Sequence, residues 1–177
     1  MKKIKNIVEK KNKSKIVCLT AYSKNIAEEV DKHVDIILVG DSLGSVLYNY
    51  SSTKKVTLTE MINHSKSVRL GIKKSLMVVD MPFKTYSTKS LALKNSKKIL
   101  KETKCDAVKI ESNNNNFKII KELVKSKIPV MGHIGYTPQF KTKFKIEGDT
   151  NEKKLKLINE AKNIQRAGAF SIVLECI

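Results

Sequence analysis

Ala107-Val108-Lys109-Ile110-Glu111 sets two charges, two residues apart, inside an otherwise apolar run. Side chains alternate across a strand, so Lys109 and Glu111 face the same side when the run is extended. Five further short, β-branched runs accompany it: Lys15–Thr20, Asp35–Gly40, Ser75–Asp80, Ile128–His133 and Phe170–Cys176. Each is about the length of a buried parallel strand. Helix-like segments separate them. Ser23 is placed to cap a helix carrying Ile26 and Val30. Thr57 with Glu60 forms a capping-box pattern, after which Met61, Ser65, Val68 and Ile72 fall on one stripe, with Gly71 near the end. Residues 89–103 and 117–125 read as helices with lysine-rich outer faces. Asn151 is the expected cap of a last helix, with Leu155, Ile158 and Ala161 inward and Gly168 past its end.

The order strand, helix, strand, helix predicts an α/β fold: a parallel sheet covered by helices. An open doubly wound sheet and a closed barrel compete. No glycine-rich phosphate fingerprint follows the first strand, as a dinucleotide fold requires. Polar residues instead gather at the C-terminal ends of several strands, the pattern of a (β/α)8 TIM barrel. Such a barrel takes roughly 250 residues. The 177 residues here accommodate about the first six βα units, as a single domain over 1–177 that is incomplete at its C-terminus. The first and sixth strands, near Val17 and Val173, are then expected to lack a neighbour on one side, an arrangement that invites aggregation.

Apolar residues make up 41% and charged residues 29%, the balance of a globular chain. No apolar run approaches the roughly 20 residues that span a bilayer, and the basic N-terminus leads into no signal-like core. Cys18, Cys105 and Cys176 are too far apart for metal or redox spacing and read as reduced cytoplasmic thiols. The formal charge of +18 raises the question of nucleic acid. Its sources are dispersed lysines, and the only arginines are Arg69 and Arg166, so sequence-specific base reading is not expected.

Four strand ends deliver polar groups to what would be one rim. The second ends Val39-Gly40-Asp41-Ser42, the third Val79-Asp80, the fourth carries Lys109 and Glu111, and the fifth ends Gly132-His133. Asp41, Asp80 and Glu111 on adjacent strands would repel one another. A hard divalent cation with oxygen ligands would compensate them, and magnesium usually keeps positions for water or substrate. A lysine beside such a site suits an anionic substrate group. Each residue also has a plainer reading. Asp41 or Ser42 reads as a turn cap, Asp80 precedes Met81-Pro82, Glu111 adjoins the asparagine run 113–116, Lys109 is one of many lysines, and His133 reads as a core histidine. The conjunction, in register at successive strand ends, is stronger than any member. Tyr22 and Tyr86 follow strands and either line the pocket or only pack. His33 and His64 fall in helical segments and read as surface residues.

At these motifs the sequence resembles the ketopantoate hydroxymethyltransferase family. The matching stretches are Thr20-Ala21-Tyr22, Val39-Gly40-Asp41-Ser42-Leu43-Gly44, Asp80-Met81-Pro82-Phe83, Val108-Lys109-Ile110-Glu111, Gly132-His133-Ile134-Gly135-Tyr136-Thr137-Pro138-Gln139, and Ala167-Gly168-Ala169 leading to Leu174-Glu175-Cys176. The resemblance implies a Mg2+ site of Asp41, Asp80 and Glu111. It implies contacts from Asp41, Ser42, Asp80 and Lys109 to a 2-oxo acid, with His133 in the same pocket. The implied reaction is aldol-type transfer of one carbon from 5,10-methylenetetrahydrofolate to 3-methyl-2-oxobutanoate, giving 2-dehydropantoate in pantothenate biosynthesis. A general base must remove the C3 proton. In the family it is a glutamate a few residues beyond the Leu-Glu-Cys stretch, past Ile177, so no catalytic base is assigned and the chain alone is expected to be inactive. Glu175 precedes that base and is not its substitute. Ser112 and the asparagines replace the glycines usual after the fourth-strand glutamate, and the loop after Gln139 is lysine-rich and divergent.

The implied partners are the small-molecule 2-oxo acid and folate, with no membrane and no specific nucleic acid, and a cytoplasmic homo-oligomer. Two other classes compete: a different Mg2+-dependent 2-oxo-acid lyase of the phosphoenolpyruvate/isocitrate type, and a basic nucleic-acid-binding module.

Overall fold

The computed structural model describes residues 2–113 and 116–177. Six strands follow one another in a single sheet in sequence order, every pair parallel. They are β1 (Cys18–Thr20), β2 (Ile36–Val39), β3 (Leu76–Asp80), β4 (Ala107–Glu111), β5 (Val130–Gly135) and β6 (Ser171–Glu175). With their helices they make a curled half-barrel, the α/β arrangement read from the sequence. The middle of the asparagine run expected as a loop, residues 114 and 115, lies outside the described residues.

Among the described residues seven α-helices cover or close the sheet: α1 (Lys2–Glu9), α2 (Lys24–Val30), α3 (Leu43–Tyr48), α4 (Leu58–Gly71), α5 (Lys89–Thr103), α6 (Phe117–Lys125) and α7 (Asn151–Arg166). The Thr57–Glu60 capping box forms as expected: Thr57 Oγ1 accepts from Glu60 N at 3.2 Å, and Glu60 Oε2 accepts from Thr57 N at 2.6 Å. Met61, Ser65, Val68 and Ile72 are all buried.

Alternation along the strands gives the sheet two apolar faces. The outer one meets the helices through Ile37, Val39, Met77, Val79, Val108, Ile110 and Val130. On the lumen side Ile36, Leu76, Val78, Ala107 and Met131 pack with Ile7 of α1. Helix α1, unforeseen from the sequence, thus closes the bottom of the half-barrel with one buried isoleucine.

Helix α7 presents a face partly different from the one expected. In α7 Leu155 is 61% exposed and Ile158 40%, while Ile164 is fully buried and Leu157 and Ala161 are partly buried against the core. The helix carries two candidate apolar stripes, and contact with β5 selects the one that brings Ile164 onto Gly132. Its cap is Thr150, whose Oγ1 accepts from Lys153 N, rather than Asn151. In α2 Ile26 is exposed and Ala27 buried, because the close approach of α4 leaves room only for a methyl group. At that approach a Cβ on Gly71 would stand 2.4 Å from Lys24 O and 2.8 Å from Glu28 N. Backbone atoms cannot step aside as a side-chain tip can. Gly71→Ala is therefore expected to cost about 2 kcal/mol despite the better helix propensity of alanine, read as a lower urea midpoint at unchanged slope.

Carboxylates at the strands' N-terminal ends are structural. Asp106 accepts from Met77 N at 2.9 Å, and Asp35 accepts from Val17 N at 3.0 Å and pairs with Lys10. Asp31, just after α2, accepts from the amides of Lys73, Lys74 and Ser75. The acids at the opposite ends behave differently.

Candidate active site

Strand register builds the site. It sets Asp80 beside Lys109 on β3 and β4, and Glu111 beside His133 on β4 and β5. Asp41 follows β2 and donates its own amide to Asp80 Oδ2 at 3.1 Å. Asp41, Asp80, Lys109, Glu111 and His133 all lie at the C-terminal rim, and all are buried. Ser42 completes the group from the first turn after β2, its Oγ 2.8 Å from Tyr22 OH. All six residues picked out in the sequence are thus brought to one rim.

Lys109 Nζ is 3.2 Å from Asp80 Oδ2 and 3.2 Å from His133 Nδ1. Burial opposes its charge, but Asp80, Asp41 and Glu111 outweigh that and hold its pKa above the usual lysine value. An ammonium only donates, so Nδ1 of His133 accepts and the proton of the neutral ring sits on Nε2. Nε2 lies 3.1 Å from Glu175 Oε2, but not on the line a good hydrogen bond requires, and it has no aligned partner among the described residues. Burial, reinforced by Lys109 and opposed by Glu175, keeps the imidazole pKa below its ordinary value.

The carboxylates outnumber the cations. Burial first, and then the charge of Asp80, pushes Asp41 up to about 7. Glu111 rises to about 8, mainly through burial and with help from Asp41 against the opposing Lys109. Asp80 Oδ1 is buried with no hydrogen-bond partner. A rim with surplus buried carboxylate and an orphaned oxygen fits a cation. The three carboxylates nonetheless do not share one ligand sphere: among the described residues no group of three His, Cys, Asp or Glu side chains is arranged to hold a metal ion. Lys109 covers one oxygen of Asp80, and a glutamine stands between the other two acids.

That glutamine, Gln139, is the residue whose role the sequence did not show. Its Nε2 donates to Asp41 Oδ2 at 2.7 Å and to Met81 O at 3.0 Å, and its backbone N–H donates to Glu111 Oε2 at 2.9 Å. Tyr86 OH donates to its Oε1. Tyr86 therefore braces the site from behind. The available signal was Thr137-Pro138-Gln139, a short polar segment directly after a strand bearing a rim histidine. His64 also differs from its expected place on the surface. It is half-buried, donates from Nδ1 to Tyr22 O at 2.8 Å and lies 2.6 Å from Tyr48 OH, so it ties the β1 loop to α3.

The model of the ketopantoate hydroxymethyltransferase family matches residues 1–177. The chain belongs to this family. A 3-methyl-2-oxobutanoate hydroxymethyltransferase of Pelagibacter ubique is 59% identical over 176 residues, which cover 99% of this chain and 68% of the relative. One from Anaplasma marginale is 47% identical over 177 residues, 98% of this chain and 64% of the relative. The chain thus spans about two thirds of the length of these hydroxymethyltransferases. Among solved structures, a 2,3-dimethylmalate lyase of the PEP mutase/isocitrate lyase superfamily superposes with a TM-score of 0.71 at 12% identity, covering 99% of this chain and 64% of that one. A phosphonopyruvate hydrolase in complex with oxalate and Mg++ gives 0.74 at 8%, covering 99% and 63%. At such identities the likeness is one of fold. Ketopantoate hydroxymethyltransferases are transferases acting on small molecules, and among the described residues no helix is long and apolar enough to cross a membrane.

Proposed function

We propose that the protein carrying this chain transfers a hydroxymethyl group from 5,10-methylenetetrahydrofolate to 3-methyl-2-oxobutanoate, with Mg2+, in pantothenate biosynthesis. The observation that carries this reading is the buried Lys109 amid three rim carboxylates in a chain of this family. The phosphonopyruvate hydrolase that shares the fold is a complex with oxalate and Mg++, which supports the divalent cation in this reading.

Asp41 and Asp80 would hold the cation, with the orphaned Asp80 Oδ1 available to it and Glu111 as the third acid of the site. Magnesium characteristically takes one or two carboxylates and fills its other positions from substrate and water. Bound there, it would supply Lewis-acid polarisation of the 2-oxo group. Lys109 attracts the substrate carboxylate, and Ser42, oriented by Tyr22, offers a hydroxyl. Gln139 fixes Asp41 and Glu111 so that neither turns away. His133 presents a neutral ring against Lys109. The product gains CH2OH, its carbon from the donor and its oxygen from water. A general base must take the C3 proton as the new carbon–carbon bond forms, and that role is assigned to none of the rim carboxylates. The three cysteines are free, in keeping with a cytoplasmic enzyme, and the family likeness suggests a homo-oligomer.

The test is formation of 2-dehydropantoate against added Mg2+. Asp80→Asn is expected to weaken the apparent Mg2+ affinity by at least about tenfold, the usual scale for a lost ligand or its support. Transfer with unchanged Mg2+ affinity in this variant would remove Asp80 from the metal site. Cleavage of a 2-oxo acid without folate would instead favour a lyase of the phosphoenolpyruvate/isocitrate type.

A further inference from the structure

The lysine-rich loop 141–150 plays no part in the chemistry above, yet it walls a cavity of its own. The cavity measures about 570 Å3, within the usual range for a small-molecule site. It opens beside the rim: Ser112 at its edge directly follows Glu111, and Gly135 lies two residues beyond His133. Lys141, Lys143 and Lys145 line it from the loop, and Lys153 and Lys156 from the first turns of α7. Opposing them are only two acids, Glu147 and Glu160. Lys141 is spent on Gly135 O and Glu147, Lys153 on Asp149, and Glu160 on Ser112. Lys143, Lys145 and Lys156 have no ion pair among the described residues.

Three free ammonium groups on two walls, with no arginine among the lining, suit several separated carboxylates better than one planar anion held by a fork. Phe140 and Leu157 add apolar surface for the stem between charges. We propose that this cavity is a second subsite, which takes an extended polycarboxylate chain: the glutamyl tail of the reduced-folate donor, whose reactive end would then reach the rim. The identity of that donor rests on the function proposed above. The subsite itself rests on the cavity and its charges.

The test is equilibrium binding to the full-length protein, read by fluorescence anisotropy with a labelled tri-γ-glutamate peptide and by titration with mono- and triglutamyl tetrahydrofolate. One variant combines Lys143→Ser, Lys145→Ser and Lys156→Ser. Its control combines Lys94→Ser, Lys97→Ser and Lys101→Ser, an equal charge change on the exposed face of α5. The pocket variant is expected to lose about tenfold in affinity for the peptide and for the triglutamyl form, the sum of three exposed charge contacts. The control is expected to lose none, and both are expected to keep their affinity for the 2-oxo acid. Absence of peptide binding to the unmodified protein, or equal losses in the two variants, would overturn the subsite. Lysine-dependent binding of the peptide with no binding of either folate would uphold the subsite and reject the folate donor.

Discussion

Lys109→Met lowers affinity for 3-methyl-2-oxobutanoate by about a hundred- to a thousandfold, whereas Lys97→Ala leaves it unchanged. The expectation follows from where the two lysines sit. Lys109 is buried, 3.2 Å from Asp80 and surrounded by three carboxylates, and it is the only buried lysine or arginine among the described residues, so its charge is the one that can meet a substrate anion within the rim. Removing one partner of a buried ion pair costs about 3–5 kcal/mol, because the group left behind stays desolvated and unpaired. In this site the burden falls twice. Asp80 loses its counter-ion, and an incoming carboxylate meets an uncompensated acidic rim. Methionine retains the length of the chain and so separates loss of charge from loss of packing. Lys97 is exposed on α5, where a lysine is solvated and its loss is nearly neutral. Calorimetric titration of both variants with the 2-oxo acid, each checked for folding by circular dichroism, decides the matter. Comparable changes in the two would remove Lys109 from the substrate site.

The second large effect lies at the other end of the half-barrel and concerns stability alone. Asp31→Ala is expected to destabilise the fold by about 3 kcal/mol. The Asp31 side chain accepts from Lys73 N at 2.9 Å, Lys74 N at 3.0 Å and Ser75 N at 2.8 Å, joining the end of α2 to the turn that starts β3. Ser75 Oγ in turn donates to Val34 O at 3.0 Å. Alanine would leave those amides without their charged acceptor, at roughly 1–3 kcal/mol for each one that stays buried and unpaired. The effect also has a definite pH dependence. Burial raises the Asp31 pKa, but the amides of Ser75, Lys73 and Lys74 outweigh it and hold the group below its ordinary 3.8. A depressed carboxylate stabilises the fold fully above its unfolded value, and that contribution fades as pH falls through the folded value. Urea unfolding at pH 7 and pH 5 is therefore expected to show the same gap between the unmodified protein and Asp31→Ala, and the gap is expected to narrow below about pH 3.8. A gap that widened on acidification would contradict the hydrogen-bond account.

Much of the molecule was legible without coordinates. The six β-branched runs became the six strands, and residues 89–103 and 117–125 became helices with those bounds. Local chemistry explains this: runs of Val and Ile fit a buried parallel strand, and a Thr-x-x-Glu capping box satisfies helix amides from neighbours in sequence. The side of the sheet on which the acids would fall was equally plain, because a strand's polar end is visible in its own residues.

Phase and partnership were not legible. Helix α7 has apolar residues at Leu155, Leu157, Ile158, Ala161 and Ile164, enough for two stripes, and only its packing against β5 buries Ile164 and exposes Leu155. Periodicity reports that one face is buried, but the neighbouring element decides which face. The same holds at the rim. The sequence by itself determined that Asp41, Asp80, Lys109, Glu111 and His133 stand at strand ends. Only the tertiary structure decided that Lys109 pairs with Asp80 and that Gln139 stands between Asp41 and Glu111. Those pairings depend on inter-strand register and on a loop returning from 98 residues away in the chain. Such long-range contacts form only when the whole sheet curls, and no local propensity encodes them.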